Sequence, residues 1–404
     1  MTSEFFTPED SSTGGLGTYI WNQAKLLSEN GVEVVIYQPS YKRNETFYLN
    51  NRIRFVQFVC PAFRLSLFER ISHFFLRQIK GFSYSHYLKL KHNAKFIQEF
   101  LKKELEVDPV DLIQYSNLNG LGLYSITSIP NITRISSLTV LYSELGKGYY
   151  GIRPDLVRAQ IEIESETYQS AKYIVGPSSY MLSKLLTYGS QHKYRLPTPI
   201  EINNNSKPLG KSILSNRVGF FGSVDYRKGV DLLIDAISNV QILELELFIC
   251  GRLNDDSDEN STIKSRVISE KFIHYSDSLP KQQLFELMGD MDVIILPSRV
   301  DNFPNTLLES MAMGKIVIGP NAWGFEEVIE HGVNGLLFEC GNLNSLVRVI
   351  ENFFSMSQKE RILMEEKAFH SAQNYAGSKV FNEILDVYQQ CIDHHDSLCA
   401  ESLD

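Results

Sequence analysis

Two carboxylates in the second half of the chain stand at the ends of a short segment with residue types that could bind a polar ligand. Asp301 and Glu309 lie within residues 297–314, PSRVDNFPNTLLESMAMG. The apolar run before this segment, residues 293–296, predicts a buried parallel strand. Carboxylates that follow such a strand can accept hydrogen bonds from the hydroxyl groups of a ligand.

A helix is predicted directly after the first carboxylate, because apolar residues recur there with helical spacing. These residues are Leu307, Leu308, Met311 and Ala312. Pro304 and Asn305 stand where the helix begins, Gly314 stands at the expected C-terminal cap, and residues 315–318 begin another strand. A helix N-terminus carries unpaired N–H groups and about half a positive charge, so it can hold a phosphate group while the carboxylates bind hydroxyls. The unit therefore has the outline of a sugar-nucleotide site.

At these residues the chain resembles glycosyltransferase family 4, of the group 1 type, whose members keep an acidic residue, seven further residues and then Glu. Other segments resemble the family in the same order along the chain, and together they cover roughly residues 14–388. They are residues 173–179, 195–202, 218–237 and 326–338. The resemblance implies an α/β protein of the GT-B fold, with two Rossmann-like domains whose parallel sheets face each other across a cleft.

The length of 404 residues also favours two domains, since it exceeds what one hydrophobic core usually serves. Strand and helix patterns alternate, which is typical of parallel sheets flanked by helices. The predicted strands are residues 32–37, 112–115, 133–135, 173–175, 218–221, 245–249, 272–274, 293–296 and 316–318. We predict a domain of residues 1–196, a polar linker at 197–215 and a domain of 216–375. Residues 376–404 would form a helix, which in the resembled family returns to the N-terminal domain, and a tail.

The transfer of a sugar from a nucleotide diphosphate requires positive charge beside the departing diphosphate. Lys228, in a Lys-Gly turn, matches the family lysine that contacts this group, and we predict a catalytic role for it. Many relatives place Arg where this chain has Ser223, which can donate a hydrogen bond but has no charge. Arg227 is the candidate that compensates, because its planar guanidinium suits phosphate.

The resemblance also assigns the two carboxylates, which we count with Lys228 as catalytic residues. Glu309 matches the residue that accepts hydrogen bonds from the ribose hydroxyls, and Asp301 matches the one that contacts the transferred sugar, where Glu is commoner. The loop residues would place donors near the sugar and phosphates, although a proline has no N–H to offer. These substrate-binding candidates are Phe303, Pro304, Asn305 and Thr306.

In the first half, a glycine-rich segment precedes a helix predicted at residues 19–30. Gly15 and Gly17 would let the backbone approach a phosphate closely, as in the family's Gly-Gly loop. Relatives often place His after the strand at 133–135, and in this chain either Ser136 or Ser137 takes over its role or the role is not filled. Family members also open with an apolar strand, of which residues 1–6 resemble only the end, and an upstream start is our hypothesis.

Composition narrows the class of protein further. The first residues lack the charged start and apolar stretch that are typical of a signal peptide, and no apolar run approaches the ~20 residues that span a bilayer, so we expect a cytoplasmic protein. Its five cysteines and nine histidines show no ligand spacing, and we predict neither a metal nor a cofactor. A net charge of −9 argues against nucleic acid as a binding partner.

Residues 61–105, however, contain nine Lys or Arg against three Glu among many aromatics. This composition fits contact with the inner face of an anionic membrane. It also fits an ordinary helical segment whose aromatic residues pack in the core and whose cations are solvated.

The sequence thus predicts a retaining glycosyltransferase that uses a UDP- or GDP-sugar. The expected acceptor is a glycan or a lipid-linked glycan, in the synthesis of a cell-surface polysaccharide or glycolipid. Retention of the anomeric configuration is implied by the resemblance alone. Two alternatives stay open at this point: a sugar-nucleotide epimerase or hydrolase of the same fold, and a non-catalytic partner subunit.

Overall fold

The computed structural model describes residues 1–2, 15–64, 83–143, 145, 153–185, 191–202 and 214–401. The chain divides into two compact units, both of which combine strands and helices. The first unit contains Met1–Phe6, Leu16–Pro197 and Val380–Asp404, and the second contains Thr7–Gly15 and Thr198–Lys379. Most of the predicted linker lies outside the described residues, so its boundaries stay a prediction.

The first unit contains two sheets. Their strands are β1 (Val34–Ser40), β2 (Glu45–Asn50), β3 (Ile53–Val59), β4 (Ile113–Ser116), β5 (Asn131–Arg134), β6 (Tyr173–Gly176) and β7 (His192–Arg195). One sheet has the order β1-β3-β2, with β1 and β3 parallel and β2 antiparallel to β3. The other has the order β4-β5-β6-β7 and is parallel throughout.

The first two residues of the chain lie between these two sheets. Thr2 N donates to Tyr37 O of β1 at 3.0 Å, and Ser116 N of β4 donates to Met1 O at 3.0 Å. The backbone of Met1 and Thr2 therefore links β1 to β4. A cavity of about 980 Å³ lies beside this link, and its walls include Ile36 of β1 and Ile113 of β4.

Helices cover the sheets of the first unit. They are α1 (Gly15–Glu29), α2 (Tyr84–Val107), α3 (Thr139–Ser143), α4 (Pro154–Ser170), α5 (Ser179–Ser183) and, at the end of the chain, α12 (Gly377–Glu401). The inward face of α12 packs with Ile132 of β5 and with Tyr173 and Val175 of β6. Its buried residues are Val380, Ile384, Val387 and Cys391, which recur with the helical spacing visible in the sequence. No helix among the described residues is long and apolar enough to span a membrane.

The second unit is built on one six-stranded parallel sheet. Its strands are β8 (Arg217–Phe221), β9 (Glu246–Cys250), β10 (Ile273–Ser276), β11 (Val293–Ile295), β12 (Val317–Pro320) and β13 (Leu336–Phe338). Their order in the sheet is β10-β9-β8-β11-β12-β13. Six helices connect or follow them: α6 (Val230–Asn239), α7 (Asp258–Ser269), α8 (Lys281–Asp290), α9 (Asn305–Ala312), α10 (Leu343–Ser355) and α11 (Gln358–Ala372). This is the doubly wound order 3-2-1-4-5-6 of Rossmann-like domains.

The central strands of this sheet are buried on both faces. Val218 of β8 and Val293, Ile294 and Ile295 of β11 are fully buried, as expected for apolar strands covered by helices on either side. Successive strands run outward from β8 to β10, and the chain then returns to place β11 on the other side of β8. The order therefore reverses between β8 and β11, and ligands of such sheets bind beside the carboxyl ends at this point.

All nine predicted strands are present, with ends that differ by up to three residues. The helix after β11 begins at Asn305, and its four predicted inward residues are buried. Helix α1, by contrast, begins at Gly15 and not after the glycines, so Gly15 and Gly17 lie in its first turn. Glycine has no side chain to crowd the start of a helix, and the first N–H groups need no intrahelical acceptor.

Candidate active site

Two loops of the second unit lie beside the point where the strand order reverses. One follows β8 and contains Lys228, and the other follows β11 and contains Asp301. They touch at Gly229, whose φ of +71° is a left-handed value that favours glycine. A Cβ on Gly229 would lie 2.1 Å from the carbonyl oxygen of Pro297. The absence of a side chain at Gly229 therefore allows the two loops to come together.

Asp225 organises the first of these loops. Its buried carboxylate accepts a hydrogen bond from the backbone N–H of Lys228 at 2.8 Å. The same carboxylate lies 3.3 Å from Nη2 of Arg227 and accepts from Nδ2 of Asn254 at 3.2 Å. A buried carboxylate stabilises such a turn only because it is hydrogen-bonded and paired with a cation. Asp225 thus fixes the positions from which the side chains of Lys228 and Arg227 extend.

Lys228 and Asp301 form an ion pair between the two loops. The ammonium of Lys228 contacts Oδ2 of Asp301, which also accepts a hydrogen bond from Oγ of Ser298 at 3.1 Å. Asp301 is only 5% exposed. Burial alone would raise its pKa, but the charges of Lys228 and Arg227 outweigh burial and leave the pKa below its usual value. Asp301 is therefore ionised at neutral pH.

Glu309 lies on helix α9, in the second turn after the N-terminus at Asn305. Its side chain makes no hydrogen bond or ion pair with the residues that the structure describes. Burial raises the pKa of Glu309, the charge of Lys281 lowers it and the charge of Glu201 raises it, for a net increase. A half-buried carboxylate without a donor is suited to accept hydrogen bonds from a ligand.

The other predicted residues of this unit surround the same loops. Ser223 is half-buried and follows β8 directly after Gly222, while Asn305 and Thr306 are half-buried at the start of α9. Phe303 is buried, and its ring centroid lies 6.0 Å from that of Tyr375. Only the backbone of Phe303 can therefore contact a polar ligand. Pro304 is the N-cap of α9 and offers no N–H.

The predicted residues in the first half of the chain lie at a helix start and a strand end. Gly15 and Gly17 are in the first turn of α1, where backbone N–H groups have no intrahelical acceptor. The preceding Gly14 lies outside the described residues. Ser136 follows β5, and its N–H donates to Oδ1 of Asn117 at 2.9 Å. Nδ2 of Asn117 donates to Ser137 O at 2.6 Å, so one fully buried side chain holds both serines of this loop.

Sequence reasoning missed several residues that build these loops, namely Asn117, Asp225, Asp231 and Arg299. Asp225 leaves a recognisable signal, because Asp three residues before Lys228 is typical of a turn in which the side chain accepts a backbone N–H. The other three make contacts distant in sequence, up to 73 residues apart for Arg299 with the carbonyl oxygen of Tyr226. No local pattern predicts such pairs.

Comparison with known proteins indicates the class of enzyme to which this chain belongs. Residues 201–370, which make up most of the second unit, match the family model for Glycosyl transferases group 1. An uncharacterized glycosyltransferase of Methanocaldococcus jannaschii is 23% identical over a gapped alignment of 407 positions, which covers 93% of this chain and 94% of that protein. A D-inositol 3-phosphate glycosyltransferase of Corynebacterium urealyticum is 21% identical, covering 93% of this chain and 90% of that protein. The lipopolysaccharide core biosynthesis mannosyltransferase LpsB of Rhizobium meliloti is also 21% identical, covering 64% and 74%.

Solved structures show the same architecture. A sucrose-phosphate synthase from Thermosynechococcus elongatus matches with a TM-score of 0.75 at 15% identity, over 96% of this chain and 98% of that one. Anabaena HepE in complex with UDP-glucose matches with a TM-score of 0.64 at 16% identity, over 96% and 97%. At these identities the likeness concerns the fold.

The fold is thus that of the GT-B glycosyltransferases, an α/β architecture of two Rossmann-like domains. With the group 1 match in the second unit and glycosyltransferases among its full-length relatives, the chain is a glycosyltransferase. This assignment argues against the non-catalytic partner subunit, which is one of the alternatives that the sequence left open.

Proposed function

We propose that the protein is a retaining transferase of the family 4 type that moves a sugar from a UDP- or GDP-sugar to a glycan or lipid-linked acceptor. Its role would be in the synthesis of a cell-surface polysaccharide or glycolipid. One observation supports this proposal above the others. At the reversal of strand order, where ligands of doubly wound sheets bind, two cations and a carboxylate meet in front of a helix with a second carboxylate.

The cations suit the leaving group of this reaction. A nucleoside diphosphate gains negative charge as the sugar departs, and Lys228 and Arg227 supply positive charge from one turn. The N-termini of α6 and α9 lie next to the same loops and add unpaired N–H groups. Ser223 would contribute a hydrogen bond in place of the arginine found in many relatives. The ion pairs with Asp225 and Asp301 keep both cations in place until the diphosphate binds.

The proposed step is transfer on one face of the sugar. The bond from the anomeric carbon to the diphosphate oxygen breaks, and a bond from the same carbon to the acceptor hydroxyl oxygen forms. The departing diphosphate oxygen takes the proton of that hydroxyl, so that no enzyme nucleophile is needed. Lys228, with Arg227, stabilises the diphosphate as its charge grows, and no metal or cofactor takes part.

The carboxylates would orient the donor. Glu309 accepts hydrogen bonds from the ribose hydroxyls, and Asp301 accepts them from hydroxyls of the transferred sugar. Asn305 and Thr306, with the backbone of Phe303, provide further polar groups at the start of α9. Pro304 can contact the sugar only through its ring and carbonyl group. Gly15, Gly17 and Ser136, from the first half of the chain, would bind the phosphates and the sugar from their own loops.

The names of relatives support the proposed donor and acceptor classes. HepE has been solved in complex with UDP-glucose, and LpsB of Rhizobium meliloti acts in lipopolysaccharide core biosynthesis. We extend the nucleotide-sugar donor and the role in glycan synthesis to this chain as a proposal.

A thermal-shift panel with UDP, GDP, ADP and CMP tests the donor. At about a hundred times the Kd, binding adds about 2.7 kcal/mol of stability and shifts the midpoint by a few degrees.

One nucleoside diphosphate should give a selective shift, and no shift with any of the four would contradict the proposal. A sugar-nucleotide hydrolase or epimerase would bind the same ligands. Release of nucleoside diphosphate distinguishes these enzymes, because a transferase needs an added acceptor for rapid release whereas a hydrolase does not.

We also propose a cytoplasmic location with peripheral contact to an anionic membrane through residues 61–105. In the described part of this segment, Lys95, Lys102 and Lys103 are exposed on α2, whereas Tyr87 is buried. The aromatic residues Phe68, Phe74, Phe75 and Phe82 lie outside the described residues. Co-sedimentation with vesicles tests the contact: anionic vesicles should bind the protein at low salt, and equal binding to neutral vesicles would contradict an electrostatic contact.

A further inference from the structure

Arg299 is anchored more firmly than any role as a surface cation would require. Its Nη1 and Nη2 donate to the two carboxylate oxygens of Asp231 at 2.6 and 2.7 Å. Nη1 also donates to Tyr226 O at 2.8 Å, and the guanidinium lies 3.9 Å from the centroid of the Tyr226 ring. Such a bidentate and stacked arrangement uses every geometric property that distinguishes arginine from lysine.

The contacts of Arg299 cross between the two loops that form the candidate active site. Arg299 stands two residues before Asp301, while Tyr226 stands two residues before Lys228. Asp231 lies in the first turn of α6, directly after the Lys-Gly turn. The backbone repeats the connection, because Arg299 N donates to Arg227 O at 2.8 Å. The side chain and backbone of Arg299 together hold one loop against the other.

We propose that Arg299, held by Asp231, is a positioning residue that sets the distance between Lys228 and Asp301 and so prepares the site for the diphosphate. This inference rests on the proposed function for the identity of the ligand, but the connection between the loops does not. Arg299 itself does not touch the diphosphate, because its guanidinium is occupied by Asp231 and Tyr226. It acts through the placement of Lys228.

This role predicts a selective defect. Lys228 would contact the diphosphate and not the nucleoside, so loss of its position weakens binding of a diphosphate more than binding of a monophosphate. A general loss of structure would weaken both equally. The variant Arg299→Met removes the guanidinium while keeping much of the aliphatic side chain, and Arg299→Lys keeps the charge but cannot form the bidentate pair.

Isothermal titration of the full chain with UDP, UMP, GDP and GMP provides the test. For the nucleotide pair that binds, Arg299→Met should weaken the diphosphate about tenfold and leave the monophosphate within about twofold. Arg299→Lys should recover only part of the loss. Asp231→Asn should resemble Arg299→Met, and combining the two should add little because they break one interaction.

Arg266→Met is the matched control. Arg266 pairs with Asp235 at 2.7 Å in the same unit, and this pair joins α7 to α6 away from both loops. Its side chains are more exposed, at 29% and 45%, than those of Arg299 and Asp231, at 17% and 25%. Arg266→Met should leave both affinities unchanged. Equal loss of diphosphate and monophosphate binding in Arg299→Met, or full binding by that variant, would overturn the proposal.

A measurement without ligand separates this inference from the proposed function. Urea unfolding of Lys228→Ala, Asp301→Asn and the double variant measures the coupling of the ion pair, first with Arg299 present and then in the Arg299→Met background. If Arg299 sets the distance, the coupling should fall by at least about half in that background. Unchanged coupling would overturn the inference even if no nucleotide binds, and a reduced coupling would support it in the same circumstance.

Discussion

Lys228 holds the central position at the residue scale, because it is paired with Asp301 while its own N–H is fixed by Asp225. We expect Lys228→Ala to lower kcat about a hundredfold, since a group aimed at developing charge typically contributes that much. The affinity for the nucleoside should change far less. Steady-state kinetics with the identified donor measures both quantities, and a variant with normal kcat would exclude Lys228 from the transfer step.

Glu309 gives a prediction about pH. Its pKa is raised by burial and by Glu201, against the opposing effect of Lys281. If the carboxylate accepts hydrogen bonds from ribose, nucleotide affinity should rise with pH as Glu309 loses its proton above its ordinary pKa. Titrations at several pH values should show this rise in the wild-type protein and not in Glu309→Gln, which should bind about tenfold more weakly at neutral pH. A parallel pH profile in both proteins would contradict the assignment.

At the scale of elements, the turn between β8 and α6 depends on Gly229. Alanine there must adopt a φ of +71° and place its Cβ 2.1 Å from Pro297 O. Gly341 offers a matched control, because it has a φ of +74° and open space within 4 Å of the position that a Cβ would take. Both substitutions should cost about 1 kcal/mol of backbone strain, and Gly229→Ala should cost at least about 1 kcal/mol more through the clash. Equal urea midpoints for the two variants would contradict the close packing of the loops.

The loop after β5 provides a second prediction at this scale. Buried Glu164 of α4 accepts hydrogen bonds from the N–H of Thr139 at 3.2 Å and from its hydroxyl at 2.7 Å, close to Ser136. Burial raises the pKa of Glu164 from 4.5 to about 7, although its hydrogen bonds oppose the shift. The folded protein thus binds this proton more tightly than the unfolded chain.

The resulting contribution to the free energy of unfolding is fully present below pH 4.5 and is lost as the pH rises through about 7. Relative to Glu164→Gln, the wild-type protein should lose roughly 3 kcal/mol over that range. Urea unfolding of both proteins at pH 4.5 and pH 8 measures the difference. If the two proteins respond identically to pH, Glu164 does not titrate as its burial indicates.

The sequence predicted most elements of this fold because its parallel strands are buried on both faces and read as continuous apolar runs. The sequence did not predict β2, β3, β7 and β13. Strands β2, β7 and β13 lie at the edges of their sheets, and β2 and β7 contain no buried residue. Strand β3 lies between β1 and β2, but polar residues interrupt its apolar run. Lys228, Asp301 and Glu309 were predicted from local motifs. Arg299 was not predicted, because its contacts with Asp231 and Tyr226 exist only in the folded chain.

At the scale of the whole molecule, the site supplies its own positive charge. In the proposed mechanism Lys228 and Arg227 would neutralise the diphosphate, a role for which another transferase could use a divalent cation. We therefore expect transfer to proceed equally well in EDTA and in magnesium. Initial rates under the two conditions measure this directly, and a loss of activity in EDTA that magnesium restores would contradict a metal-free mechanism.

We propose that the second unit activates a nucleotide sugar for transfer through Lys228, Asp301 and Glu309. The most direct measurement is release of nucleoside diphosphate from a panel of UDP- and GDP-sugars, with and without lipid-linked glycan acceptors, by the wild-type protein and by Lys228→Ala. We predict release from one donor that depends on an acceptor and falls about a hundredfold in the variant. Release that does not require an acceptor, or that persists at the same rate in Lys228→Ala, would contradict this account.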